Sequence, residues 1–303
     1  VKENTFISMK NRLNQIKGYL NGNELITDFQ GNSGRAYLKQ MVIDPKVNDD
    51  KKYTAKRYRR LLNQVFDYAV SDEGLEPKFL PYRLDKPYSF ESSIEREHQH
   101  PHLTWQEFKD ELLPRLNENL CQSGRLTNLA TKASLMTLIR VSSLVRWRWD
   151  WFDAQENCWV VPSETTGLKR QKKFDGDEKY NHFIPNTPLL ETLMNNLHSI
   201  NGNNEYVFYS PFKGNNPFLS AQTPNHHLIQ LGFQGRQDAH GFRHLASNKL
   251  TKIGFDELLV GKCLGHKNEQ GVMKHYLDEK YLQQRRELFE SYHQSLVEAG
   301  LKI

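Results

Sequence analysis

In the segment KKYTAKRYRRLLNQVFDYAV, residues 51 to 70, apolar side chains fall at Tyr58, Leu61, Leu62, Val65, Phe66 and Ala69. Steps of three and four residues put them on one face of a helix, the face that turns toward a core. Helical character extends over residues 5 to 80. The period then breaks. From about 79 to 103 the stretch FLPYRLDKPYSFESSIEREHQHPHL carries Pro81, Pro87 and Pro101 and no repeat of apolar positions, as an interdomain connection does. Helical spacing resumes at LTWQEFKDELL, where Thr104 followed by Glu107 makes a capping box. LTNLATKASLMTLIR, residues 126 to 140, predicts a long apolar helix closed by Arg140. CWVVPSE (158–164) and NHFIP (181–185) predict two strands joined by the basic loop TTGLKRQKKFDGDEKY. Helices dominate from 188 onward and end in an apolar stripe of Leu282, Leu288, Phe289, Tyr292 and Leu296. The expected fold is mainly α with a small β-sheet. It divides into a helical domain at 1–90, a linker at 91–103 and an α+β domain at 104–303.

Composition narrows the function classes. The 303 residues are polar but carry 16 Phe, 13 Tyr and 5 Trp, enough to build two cores. The net charge of +5 permits a polyanion partner without demanding one, so its distribution matters more. Lys51, Lys52, Lys56, Arg57, Arg59 and Arg60 crowd one helix with no acid between them, which favours a polyanion contact over internal salt bridges. Arg170, Lys172 and Lys173 form a second basic group in the strand–strand loop. Three cysteines without a CxxC pair argue against a disulfide framework or zinc module and point to buried, reduced thiols in a cytoplasmic protein. No apolar run approaches the roughly 20 residues of a membrane helix. A phosphate-binding GxxxxGK[ST] loop is absent. His98, His100 and His102 alternate in the connection and are expected to face solvent, since no cysteine or carboxylate completes a metal site.

Polar residues that stand out lie in the second domain. Arg140 follows a run of apolar residues, an unusual place for arginine unless an anion meets it. Lys169 sits in the basic loop. In DAHGFRHLAS, residues 238 to 247, His240 and Arg243 stand three apart, so the first turn of a helix would aim both at one anion. His240 and His244 have the spacing of zinc ligands, but HGFRH lacks the glutamate of HExxH. In LGHKNEQGVMKHY, His266 follows a tight Leu-Gly turn and Tyr276 closes the segment.

Taken in order, Arg140, Lys169, His240-x-x-Arg243, His266 and Tyr276 resemble the tyrosine recombinase, or phage integrase, family over most of residues 105–303. The likeness is to the integrases of prophages and genomic islands, and the helices around AKRYRRLLNQVFDYAV resemble that family's core-site-binding domain. The resemblance implies a metal-free, cofactor-free DNA strand transferase of the integrase kind, with a resolvase, a type IB topoisomerase-like enzyme and a non-catalytic DNA-binding relative as the alternatives. Tyr276 would attack the scissile phosphodiester, Arg140 and Arg243 would hold its non-bridging oxygens, and His266 would hydrogen-bond the phosphate. His240 would accept the tyrosine proton, and Lys169 would protonate the leaving oxygen. Lys172 and Lys173 also qualify for that last role. Tyr281 and Tyr292 are rival nucleophiles placed within a helix. Ile139 and Ser143 occupy positions where many relatives carry glycine and glutamate. The resemblance further implies double-stranded attachment sites, a homotetramer on DNA, a DNA-bending protein and an excisionase as partners, and a place at the bacterial nucleoid. An arm-site-binding domain common in such integrases has no counterpart in these residues; either it precedes Val1 in a longer chain or the chain never had one. The tail helix could pack on its own domain or on a neighbouring protomer.

Overall fold

The computed structural model describes residues 3–20, 23–49, 51–81, 83–84, 100–118, 124–168, 176, 178–210, 216–266 and 280–303. The chain divides into two compact units, Val1–Gln99 and His100–Ile303. Residues 100–103, expected to be linker, belong to the second unit.

The first unit is helical: α1 (Glu3–Lys17), α2 (Gly31–Leu38), α3 (Asp44–Asn48) and α4 (Lys52–Ser71). The predicted apolar stripe of α4 supplies much of the core. Tyr58, Leu61, Leu62 and Phe66 are buried beside Ile16 of α1 and Leu38 of α2. The Tyr58 hydroxyl, which burial would otherwise leave unpaired, donates to Gln15 Oε1 at 2.7 Å.

The second unit opens with α5, a helical run at 105–118 whose capping box forms as expected. Thr104 Oγ1 accepts from the Glu107 amide, and Glu107 Oε2 accepts from the Thr104 amide. There follow α6 (Arg125–Thr137) and the short α7 (Val141–Leu144). A three-stranded antiparallel sheet comes next, in the order β1 (Phe152–Asp153), β2 (Cys158–Val161) and β3 (His182–Pro185). Cys158 pairs with Pro185 and Val161 with His182, so the basic loop joins β2 and β3 as predicted. Then come α8 (Pro188–Asn201), α9 (Thr223–Gln230), α10 (Gly241–Lys252), α11 (Glu257–Cys263) and α12 (Lys280–Ala299). Among the described residues no helix is long and apolar enough to cross a membrane.

Two details prepare the site. The apolar helix stops at Thr137, three residues earlier than the spacing predicted, because Leu138 adopts a left-handed backbone with φ of 59°. That turn frees Arg140 from the helix and makes it the N-cap of α7. The second detail is α12, which packs in cis. Leu288, Phe289, Tyr292 and Leu296 are fully buried in the core of their own unit. The Tyr292 hydroxyl donates to the Leu135 carbonyl at 3.1 Å. His293 Nε2 donates to the Met136 carbonyl at 3.0 Å, while its Nδ1 accepts from the Thr187 hydroxyl. The last carbonyls of α6, which have no partner inside their own helix, are thus satisfied by side chains of α12.

Candidate phosphate-binding site

Arg243 lies in the first turn of α10 and is only 3% exposed. Its Nη1 donates to the Leu138 carbonyl and its Nη2 to the Leu264 carbonyl. One guanidinium therefore ties the turn before Arg140 to the turn before His266. Arg140, half-buried, donates from Nη1 to the Gly167 carbonyl at 3.1 Å, at the base of the basic loop. Its Nε is buried and meets no acceptor among the described residues. Burial pulls the pKa of both arginines down, and for Arg243 the positive Arg140 adds to the effect. A guanidinium nevertheless stays protonated in proteins. Two desolvated cations close enough to repel one another, with N–H groups to spare, make a strong anion site.

The turns are shaped to permit these contacts. Gly167 has φ of 104°, and a Cβ there would lie 2.3 Å from Ser142 Oγ and 2.5 Å from Ser143 Oγ. Ser143 Oγ donates to the Thr166 carbonyl at 2.9 Å. The serine thus holds the turn that Arg140 reaches. The left-handed conformation that glycine favours falls on Leu138 rather than on Ile139. Gly265, with φ of 65°, makes the Leu-Gly turn and leaves His266 exposed at the edge of a groove of about 550 Å³ lined also by Ser247, Lys252 and Gly261.

His240 caps the start of α10 and is half-buried. Its pKa falls to about 4. Burial is the main cause, followed by His100, Arg243 and Arg140, with Asp238 pulling the other way. The imidazole is therefore neutral at neutral pH and able to accept a proton.

His100 is exposed, as expected, and His102 is half-buried, yet both rings also meet histidines of the second unit. His100 lies against His240 with ring centroids 4.1 Å apart and planes tilted by 41°, and His102 stacks on His244 at 5.2 Å. The spacing His-x-His was the signal, since alternate residues of an extended strip face the same way.

Lys169, Arg170, Lys172, Lys173 and Tyr276 lie outside the described residues, as do Cys121 and His98. Tyr292 is no nucleophile: it is fully buried, bonded to a carbonyl, and its pKa is raised by desolvation. The two described cysteines, Cys158 and Cys263, are free and buried. No group of three His, Cys, Asp or Glu among the described residues is placed to hold a metal.

In the first unit the basic run on α4 splits. Arg57 and Arg60 are exposed, Lys56 is half-buried, and Lys51 is exposed beside Asp49 at 3.5 Å. Arg57 lies over the Tyr53 ring at 4.3 Å. The Lys52 side chain is outside the described set. Arg59 corrects the sequence reading. It is 7% exposed and donates from Nη1 to the Leu84 carbonyl at 3.1 Å, because its helix position faces inward between Tyr58 and Leu62.

A mostly helical unit with a small antiparallel sheet, a buried and a half-buried arginine on shared loops and a histidine at a helix start defines a class of anion-handling fold. The model of the phage integrase family matches residues 107–283, more than half of the chain, and this chain belongs to that family. It is 27% identical over 156 residues to the prophage integrase IntA of Escherichia coli, covering 52% of this chain and 35% of that protein. It is 28% identical over 167 residues to the integrase of Enterobacteria phage P4, covering 53% and 38%. The chain thus matches little more than a third of the length of these relatives. Its fold is similar to that in the crystal structure of a lambda integrase tetramer bound to a Holliday junction, with a TM-score of 0.60 and 16% identity over 91% of this chain and 75% of that one.

Proposed function

We propose that this chain is a site-specific DNA recombinase that cuts and rejoins strands through a 3′-phosphotyrosine bond, moving an element into or out of a chromosome. One observation carries the reading: Arg243 and Arg140 together hold the backbone turns at Leu138, Gly167 and Leu264, so the arginines that would grip a phosphate also fix the loops beside it. Their remaining N–H groups stabilise the negative charge that builds on the non-bridging oxygens during attack. A single missing donor of this kind costs roughly 3 kcal/mol.

In this reading the Tyr276 oxygen attacks phosphorus as the bond to the 5′-oxygen breaks. His240 takes the phenolic proton. An anion seated between the arginines raises the imidazole pKa from its low resting value, which suits a base that must hold that proton. Lys169 gives a proton to the leaving 5′-oxygen, and His266 hydrogen-bonds the phosphate. The phosphotyrosine keeps the energy of the phosphodiester, so resealing is the same step reversed. The exposed Lys51, Arg57 and Arg60 of the first unit would contact the DNA backbone, with Lys52, Lys56, Arg170, Lys172 and Lys173 adding to that surface. Double-stranded attachment sites, a homotetramer on them, a bending protein and an excisionase are the partners this activity calls for, in a bacterial cytoplasm.

Nicked suicide duplexes tiled across the DNA flanking the gene test the reading. A covalent protein–DNA adduct should form in EDTA and vanish in Tyr276→Phe. An adduct that persists in Tyr276→Phe moves the nucleophile elsewhere, and cutting that needs magnesium overturns the mechanism.

A further inference from the structure

The strip 100–103 is fastened to the turn that precedes α10 along its whole length. His100 Nδ1 donates to Asp238 Oδ2 at 2.7 Å, and Asp238 Oδ1 accepts from the Gly241 amide at 2.6 Å. The Asp238 amide donates to the Pro101 carbonyl at 3.1 Å, and the Leu103 amide to Gln237 Oε1 at 2.9 Å. His102 Nδ1 donates to the His100 carbonyl at 2.9 Å, which sets the spacing of the two rings. The approach is so close that a Cβ on Gly241 would lie 2.1 Å from the Pro101 carbonyl oxygen. That contact explains the glycine in HGFRH. The product of this packing is a ladder of imidazoles, His100 on His240 and His102 on His244.

From this geometry we infer that His100, fixed by Asp238, is a positioning residue for His240. Its ring is the platform that holds the His240 imidazole in place and keeps it neutral until phosphate arrives. Asp238 accepts the hydrogen bond from His100 Nδ1, so a carboxylate sets the orientation of this exposed ring. The His100 ring, tilted against His240, acts through two physical effects. It restricts the rotation of His240, and its capacity for positive charge opposes protonation of His240, as Arg243 and Arg140 also do. The groups that face His240 are then His100 from the strip, Asp238 from its own turn, Arg243 and His244 from α10, and Arg140 from the turn after α6. Asp238 is the one anion among these described groups. This inference rests on His240 being the proton acceptor, and its test includes a measurement that needs no DNA.

Label the histidines with carbon-13 at Cε1, assign His240 by its loss in His240→Asn, and titrate the free protein by NMR. In wild type the His240 resonance should titrate well below the ordinary histidine range. In His100→Phe and His100→Ala its pKa should rise by about one unit. Adduct formation on the suicide duplex should show its acid limb shifted upward in both variants. His100→Phe, which keeps a flat ring, should retain more of the rate than His100→Ala. An unchanged His240 titration in both variants, or a uniform loss of rate with no shift of the acid limb, overturns the inference. A shifted titration in a wild-type protein that forms no adduct would instead sink the recombinase reading and leave the ring contact standing.

Discussion

Arg57 and Arg60 of the first unit stand exposed on the outer face of a helix, whereas Arg243 of the second is buried with its guanidinium on two backbone carbonyls. The same residue type does different physical work in the two places. In water a unit charge at 4 Å is worth about 1 kcal/mol, and salt screens it within about 10 Å. Exposed arginines therefore add up slowly, and each is replaceable. In the desolvated setting of Arg243 the same charge acts in a lower dielectric, with its direction fixed before a ligand arrives. Under the proposed function, the first unit should set how tightly the chain holds DNA, and the second whether anything happens to it.

The largest effect that could upset this contrast is at Arg243. Lysine keeps the charge but cannot span Leu138 and Leu264 and still present a planar pair of donors. Arg243→Lys and Arg243→Ala should each slow formation of the covalent adduct by at least about 100-fold in single-turnover gels. Arg57→Ala should stay within a few-fold, on the order of what an exposed ion pair contributes. If Arg243→Lys cleaves as well as Arg57→Ala, buried and exposed arginines are equivalent here and the contrast fails. A melting curve on each variant separates lost chemistry from lost fold.

The turn that Arg243 holds bears on the same contrast. Leu138 adopts φ of 59° while fully buried. A left-handed leucine costs about 1–2 kcal/mol, so glycine would relieve strain. Removing a buried leucine side chain costs about 2–5 kcal/mol, which outweighs that relief. Leu138→Gly should therefore destabilise the second unit by about 2 kcal/mol, with the melting temperature as the measure. A stabilised variant would mean that strain and not packing governs the turn, and that the candidate phosphate site rests on a sprung loop.

These two residues also show what the sequence could and could not disclose. Arg140, His240, Arg243 and His266 could be singled out as candidates because the proposed chemistry needs particular residue types in a particular order, and the structure brings Arg140, His240 and Arg243 together. The stripes of α4 and α12 were legible because burial repeats with the helix period. Leu138 was not, because a left-handed turn carried by leucine has no local signature when tertiary contacts impose it. Arg59 misleads for a related reason. Its neighbours Arg57 and Arg60 are surface residues, and a run of charge hides the member that faces inward. His100 and His102 were visible as an alternation, but their partners are more than a hundred residues away in the chain. Pairing at that distance depends on the fold and not on spacing.

Acid should separate the two units next. All twelve histidines except His98 lie in His100–Ile303, and His227 and His293 among them are deeply buried and hydrogen-bonded. His293 and His227 have pKa values lowered to about 4, in each case chiefly by burial. The unfolded chain takes up their protons near the ordinary value of about 6.5. The stability they hold is therefore complete above that pH and is lost as pH falls from there toward 4. At pH 5.5 each should cost about 1 kcal/mol relative to pH 7.5. Thermal melts across this range should show the second unit weakening while α1–α4 hold. His293→Gln should flatten part of the slope. A first unit that melts earlier with acid would remove the distinction.

The smallest effect concerns the surface, and it turns on neighbours in sequence. Arg59 and Arg60 are adjacent, yet one donates to the Leu84 carbonyl inside the first unit and the other faces outward. If outward arginines meet phosphate, Arg57→Ala and Arg60→Ala should each lower the slope of log affinity against log salt by about 1 for a generic duplex. Their melting temperatures should stay near wild type, since exposed substitutions usually change stability by less than about 0.5 kcal/mol. Arg59→Ala should do the reverse. It strands a buried carbonyl, costing about 1–3 kcal/mol of stability, and leaves the salt slope alone. Fluorescence anisotropy across a salt series, paired with a melt of each variant, reads both quantities. An Arg59→Ala protein that keeps its stability and loses salt dependence would mean that α4 presents a different face to DNA, and the charge of the first unit would have to be counted again from there.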